Sequence, residues 1–200
     1  MSTANRRPTG SVISGTGQQS PLPRWTAFRA VARSVARTLP LLARRRMHLP
    51  REHVGLVVRF ADGTSARVYR ETRMDGVPAT DRCALVVAFR LRLVRGRGHP
   101  VFRWESLLNT PLFVGFPGLV SKLWLQHDDR GRYRGVYEWE GPRDAERYAR
   151  SLWQVLALVS VPGSIRYVVL PGARRDALVA SAYGDAAGES VDWWRPVGAA

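Results

Sequence analysis

The stretch Leu119–Glu140, LVSKLWLQHDDRGRYRGVYEWE, decides the fold. Its middle, Asp128-Asp129-Arg130-Gly131, is a turn sequence, because Asp folds back on nearby backbone and Gly tolerates positive φ. The flanks, Leu119–Gln126 and Arg132–Glu140, are rich in β-branched and aromatic residues and read as two antiparallel strands. If the loop is Asp128–Gly131, His127 stands opposite Arg132. Trp124 then faces Gly135, Lys122 faces Tyr137 and Val120 faces Trp139. Side chains alternate along a strand, so Lys122, Trp124, Tyr137 and Trp139 share one sheet face. Leu119, Leu123, Leu125 and Val136 take the other. A slip of one residue would carry the second strand's side chains to the opposite faces.

Working outward, Ala84–Val94 reads as a strand with Leu85, Val87, Phe89, Leu91 and Leu93 on one face and Arg90 and Arg92 on the other. Pro100–Asn109 reads as a short helix, Pro100 suiting a first turn. An irregular apolar link then runs through Phe113 and Phe116. After the hairpin, Pro142 opens a second helix. Asp144 and Glu146 lie near its start, and Ala145, Tyr148, Ala149, Leu152, Val155, Leu156 and Val159 form its apolar stripe. Pro162-Gly163 stops it, Ser164–Leu170 is a further strand, and Pro171-Gly172 ends the unit. The order β-α-β-β-α-β is the split ferredoxin-like arrangement of an α+β protein. Right-handed crossovers place both helices on one sheet face. The other face needs cover, and a second copy would supply it sheet to sheet. The expected architecture is a dimeric α/β barrel, with an N-terminal helix and a β-hairpin as extensions.

Those extensions precede the unit. Residues 1–23 are rich in Ser, Thr, Gly, Gln and Pro and read as a disordered leader. Residues 24–47 read as a basic amphipathic helix, with Trp25, Phe28, Val31, Ala32, Val35, Leu39 and Leu42 at helical spacing and Pro40 kinking or ending it. Its apolar stripe either docks on the protein or lies on an anionic membrane surface. Residues 48–82 hold a hairpin, Val54–Phe60 and Ser65–Tyr69 about Asp62-Gly63, and a connecting loop over Thr72–Arg82. Residues 83–172 form the barrel domain. Residues 173–200 form a tail whose Trp193-Trp194 is expected to dock.

The formal net charge is +15, and residues 1–50 hold nine arginines and no acidic residue. Lys122 is the single lysine among 31 basic residues, an arginine bias that a GC-rich genome produces. Cys83 is the single cysteine, which excludes an intrachain disulfide and a zinc–thiolate cluster. His48, His53, His99 and His127 have no metal-type spacing, and no phosphate-binding glycine motif or nucleophile elbow is present. No cofactor and no metal are therefore expected. No apolar run is long enough to span a bilayer, so the expected compartment is the cytoplasm, with peripheral membrane contact through residues 24–47. Nucleic acid ranks last as a partner, because the folded part lacks a dense basic–aromatic face.

Two places could carry chemistry. The face with Lys122, Trp124, Tyr137 and Trp139, joined by Arg90 and Arg92, could hold a flat, partly anionic molecule by stacking and charge pairing. The link holding Asn109, Phe113 and Phe116 could cap it.

Phe116–Trp124, then Tyr133–Trp139, then Ser160-Val161-Pro162-Gly163 resemble the YdhR-like monooxygenase family of the dimeric α/β-barrel superfamily, over about half the chain. The resemblance implies a homodimer with a cavity beside the sheet. It also implies oxygenation of an electron-rich aromatic or polyketide-like substrate without metal or flavin. On that reading Lys122 and Tyr137 handle protons or stabilise an anion, while Trp124 and Trp139 are stacking walls. The alternative expectation is a non-enzymatic assembly or sensing module tethered by its basic helix.

Overall fold

The computed structural model describes residues 13–15, 23–78, 80–92, 114–180 and 193–199, the first three by backbone alone. The expected helix Pro100–Asn109 lies outside the described residues, as do Asn109 and Phe113.

The protein is α+β, and its described residues form a nine-stranded, curled antiparallel sheet. In chain order the elements are β1 (Ile13–Gly15), helix α1 (Arg24–Ala43), β2 (Met47–His48), β3 (Val57–Phe60), β4 (Ser65–Met74) and β5 (Arg82–Arg90). They continue with β6 (Leu119–Leu125), β7 (Arg132–Glu140), helix α2 (Pro142–Ala157), β8 (Arg166–Pro171), helix α3 (Arg175–Ala180) and β9 (Pro196–Ala199). The sheet order is β1-β8-β5-β7-β6-β4-β3-β9, with β2 beside β4. Its central run, β8-β5-β7-β6, is compatible with a ferredoxin-like α+β plan.

The hairpin register derived above holds where the site lies. Trp124 pairs with Gly135 and Lys122 with Tyr137. A bulge between Leu119 and Ser121 brings Leu119, not Val120, opposite Trp139. Leu119 therefore joins the aromatic face.

The aliphatic set would suit packing under the helices, but α2 lies over the aromatic face instead. Trp124, Tyr137 and Trp139 cluster with Ala145, Tyr148 and Ala149 of α2. The aliphatic face, with Val86, Leu123, Leu125, Val136 and Val168, lies instead against Val58 and Phe60 of β3, Val179 of α3 and Trp193. The physical reason is that the sheet curls. The β3–β4 hairpin and the β9 tail fold over the aliphatic side, and β9 pairs with β3. The aliphatic face is thus covered by the chain itself. Ala84, Val86, Leu123, Val136 and Val168 are fully buried within a single copy. Trp193 is docked, as its cost of exposure requires.

Several boundaries differ from the sequence reading, among them the strand read as Ala84–Val94, which runs Arg82–Arg90. Within the leader assigned to residues 1–23, Ile13–Gly15 pairs with β8, whose outer edge offers unpaired backbone groups. The loop assigned from Thr72 begins later, because β4 continues past a bulge between Val68 and Arg70 to pair with β6. Pro40 lies inside α1 and does not end it. The helix stops where Arg45 turns left-handed (φ 51°), and the Arg46 N–H returns to the Leu41 carbonyl at 3.0 Å, a Schellman-type closure.

The face of α1 that docks is not its apolar stripe. Ala27, Ser34 and Thr38 are each 1% exposed, whereas Trp25, Phe28 and Val35 are exposed. A Cβ added at Gly115 would stand 1.9 Å from the Ser34 carbonyl oxygen, so the two backbones touch there. Small residues are what such an approach requires.

Candidate functional site

Lys122 sits near the middle of β6, buried on the face of the sheet that α2 covers (5% exposed). Strand alternation places Trp124 beside it on the same face, and the register places Tyr137 across from it. The amine Nζ lies 3.2 Å from the centroid of the Trp124 ring and 4.6 Å from that of Tyr137. Gly135 makes this geometry possible. Its missing side chain leaves the space that the Tyr137 ring fills, since a Cβ there would stand 2.8 Å from Tyr137 Cε2.

The nest has a second layer. Arg70, paired with Trp124 across β4 and β6, holds its guanidinium carbon 4.9 Å from the Trp124 ring centroid. Thr72 accepts a 3.1 Å hydrogen bond from the Trp124 indole N–H, which fixes the ring's orientation. Tyr148 of α2 donates a 3.2 Å hydrogen bond to the Tyr137 hydroxyl, leaving the Tyr137 proton for another acceptor. Trp139 packs against Tyr148 with centroids 4.8 Å apart, and Phe116 meets Tyr148 edge-on at 5.2 Å. The indole N–H of Trp139 is buried without a hydrogen-bond partner among the described residues.

Burial, reinforced by the charge of Arg70, holds the Lys122 ammonium well below the ordinary lysine range. Burial also raises the hydroxyls of Tyr137 and Tyr148 above the tyrosine range. The two phenols are therefore hydrogen-bond donors rather than bases, and the basic group of the nest is the amine. An amine of reduced pKa is unprotonated at lower pH than a free lysine and can accept a proton there. The guanidinium of Arg70 would favour an anion formed beside it.

Of the residues singled out from the sequence, Lys122, Trp124, Tyr137, Trp139 and Phe116 come together in one buried cluster or against it. Arg90 does not join them. It alternates with Phe89 at the end of β5, on the parity of Val86 and Ala88, which face the opposite side. Sequence reasoning missed Arg70 and Thr72 because it ended their strand at Tyr69. Alternation from Val68 would have placed them on the aliphatic face, because nothing in the sequence announces the bulge between Val68 and Arg70. Tyr148 was legible as part of the helical stripe, but not as the partner of Tyr137.

On the other sheet face, Glu71 is fully buried and lies 2.9 Å from Arg175, 3.3 Å from Arg73 and 3.0 Å from His53 Nδ1. Hydrogen bonding from His53 and the charge of Arg175 outweigh burial and lower its pKa. Glu52, His53 and Glu71 bring ligand-type atoms within 4.8 Å of one another. A cation there would compete with two guanidinium groups, so the cluster is an ion-pair network tying α3 to β4. Cys83 is buried, and burial pushes its thiol up to about 12, which makes it a poor nucleophile.

No family model matches the chain, and no similar protein is found among curated proteins. Among the described residues, no helix is long and apolar enough to cross a membrane.

Proposed function

We propose that the chain binds a planar, weakly acidic aromatic molecule beside Lys122 and supports its oxygenation by dioxygen. The binding half rests on one observation: an amine of lowered basicity held against the rings of Trp124 and Tyr137. The oxygenation half rests on the resemblance to the YdhR-like family. It also fits a ferredoxin-like plan whose site lies between the sheet and its helices.

In this reading Trp124 and Trp139 stack on the ligand's plane. Lys122 removes an acidic proton, and Arg70 and the Tyr137 hydroxyl stabilise the anion. The anion donates electrons to dioxygen, so the substrate itself is the reductant. For an activated methylene the balance closes: one oxygen atom becomes the ring carbonyl, and the other leaves as water with both methylene hydrogens. The protein supplies orientation, a proton acceptor and exclusion of bulk water. Phe116, in the turn before β6, is the aromatic member of the cluster not anchored in a strand or helix, which suits it to move aside for entry.

Anthrone, a planar molecule with an acidic methylene, is the probe. The wild-type protein is expected to bind it saturably and to speed its conversion to anthraquinone in air. Lys122→Met is expected to bind it about tenfold or more weakly and to lose about 10²-fold or more of the rate, the usual scale for a lost proton acceptor. Equal binding and equal rates in wild type and Lys122→Met, with both folded, would contradict the reading.

A further inference from the structure

Helix α1 buries one side and exposes the other, and the exposed side is the apolar one. Trp25 is 73% exposed and Phe28 50%, with Val35 at 38%. With Ala32, also exposed, they follow the spacing i, i+3, i+7, i+10, which puts all four on one helical arc. Arg29, Arg33 and Arg37 form the adjacent row, one turn apart, and all are exposed. The docking side, Ala27, Ser34 and Thr38, lies on the far side of the wheel from Trp25.

Exposed aromatic rings in an array cost free energy unless something covers them. The charge on this helix says what does. Residues 24–46 hold seven arginines and no acidic residue. A second copy laid against this face would bring two arginine rows together. An anionic bilayer offers negative charge at its surface and hydrocarbon just beneath it. That is the order a helix lying flat would meet, its arginines at the headgroups and its Trp and Phe below them. Trp25, an indole, suits the interfacial depth. Arg44, Arg45 and Arg46 extend the positive surface beyond the helix end.

We infer that α1 is an interfacial anchor: its Trp25–Phe28–Ala32–Val35 stripe enters the headgroup region of an anionic membrane, and the Arg29–Arg33–Arg37 row binds the lipid phosphates. The anchor is separate from the Lys122 nest, and neither depends on the other.

The test is flotation of the full chain with vesicles of phosphatidylcholine alone and of phosphatidylcholine mixed equally with phosphatidylglycerol. The protein is expected to float with the mixed vesicles, to stay behind with the neutral ones, and to be released by high salt. Two variants at exposed positions, Trp25→Ala/Phe28→Ala and Arg29→Gln/Arg33→Gln/Arg37→Gln, should each weaken partitioning about tenfold or more while leaving the circular dichroism unchanged. Failure of the wild type to float with anionic vesicles would overturn the inference. So would flotation that survives both variants. A dimer in solution that dissociates in Trp25→Ala/Phe28→Ala, without vesicle binding, would also overturn it and assign the stripe to a second copy.

Discussion

Gly135 shows what a single residue contributes. A glycine inside a strand forfeits packing and costs backbone entropy, yet here its absent side chain is the space the Tyr137 ring fills. Gly135→Ala is expected to displace that ring and to destabilise the fold by about 1–3 kcal/mol in urea unfolding. It should also shift the environment of Lys122; an unchanged midpoint and an unchanged Lys122 resonance would show that the ring does not need the space. The pairing of Gly135 with Trp124, and of Lys122 with Tyr137, was legible because the Asp128–Gly131 turn and the period of two leave little freedom in the register. The exchange of Val120 for Leu119 was not, since nothing in Leu119-Val120-Ser121 announces a bulge.

At the scale of elements, what joins one hairpin to another is a buried ion cluster that the sequence did not disclose. Arg134 of β7 donates to Asp128 in its own hairpin loop at 2.7 Å and to Asp62 in the β3–β4 turn at 2.8 Å. Arg132 also reaches Asp62 at 2.8 Å. Thr64 and both arginines hold the Asp62 carboxyl below its ordinary range despite the opposing effect of burial. The two acidic turns were read locally, as bends, because sequence adjacency cannot show that they converge. Removing one partner of such a buried set strands the others. Arg134→Ala is therefore expected to cost about 3–5 kcal/mol in denaturant unfolding, with about half that or less disproving the coupling. Helix α1 teaches a related lesson. The amphipathic rule finds an apolar stripe correctly but assumes that the stripe faces the core. Close approach to Gly115 selected the small-residue side instead.

For the whole molecule, the central strands were readable from local pattern, but their cover was not. β9 is a short segment, Pro196–Ala199, without alternating apolar residues, and its partner β3 lies near the other end of the chain. The aliphatic face is closed by the chain's own hairpin and tail. The amine of Lys122 is held on the opposite face, the one that α2 covers. Lys122 then carries a signature in the stability of the whole chain. Its folded pKa lies below the unfolded value of 10.5, so between those two values the unfolded state binds more protons. Lys122 costs stability below its folded pKa, and that cost fades as pH rises toward 10.5.

Because Lys122 is the chain's single lysine, one NMR signal reports on it without assignment. The most direct test is a pH titration of the side-chain Cε resonance in protein labelled with ¹³C-lysine. The account predicts a midpoint well below 10.5, rising when an anionic aromatic ligand binds. A midpoint at or above 10.5 would show a lysine stabilised in its charged form and would contradict a poised amine in an aromatic nest.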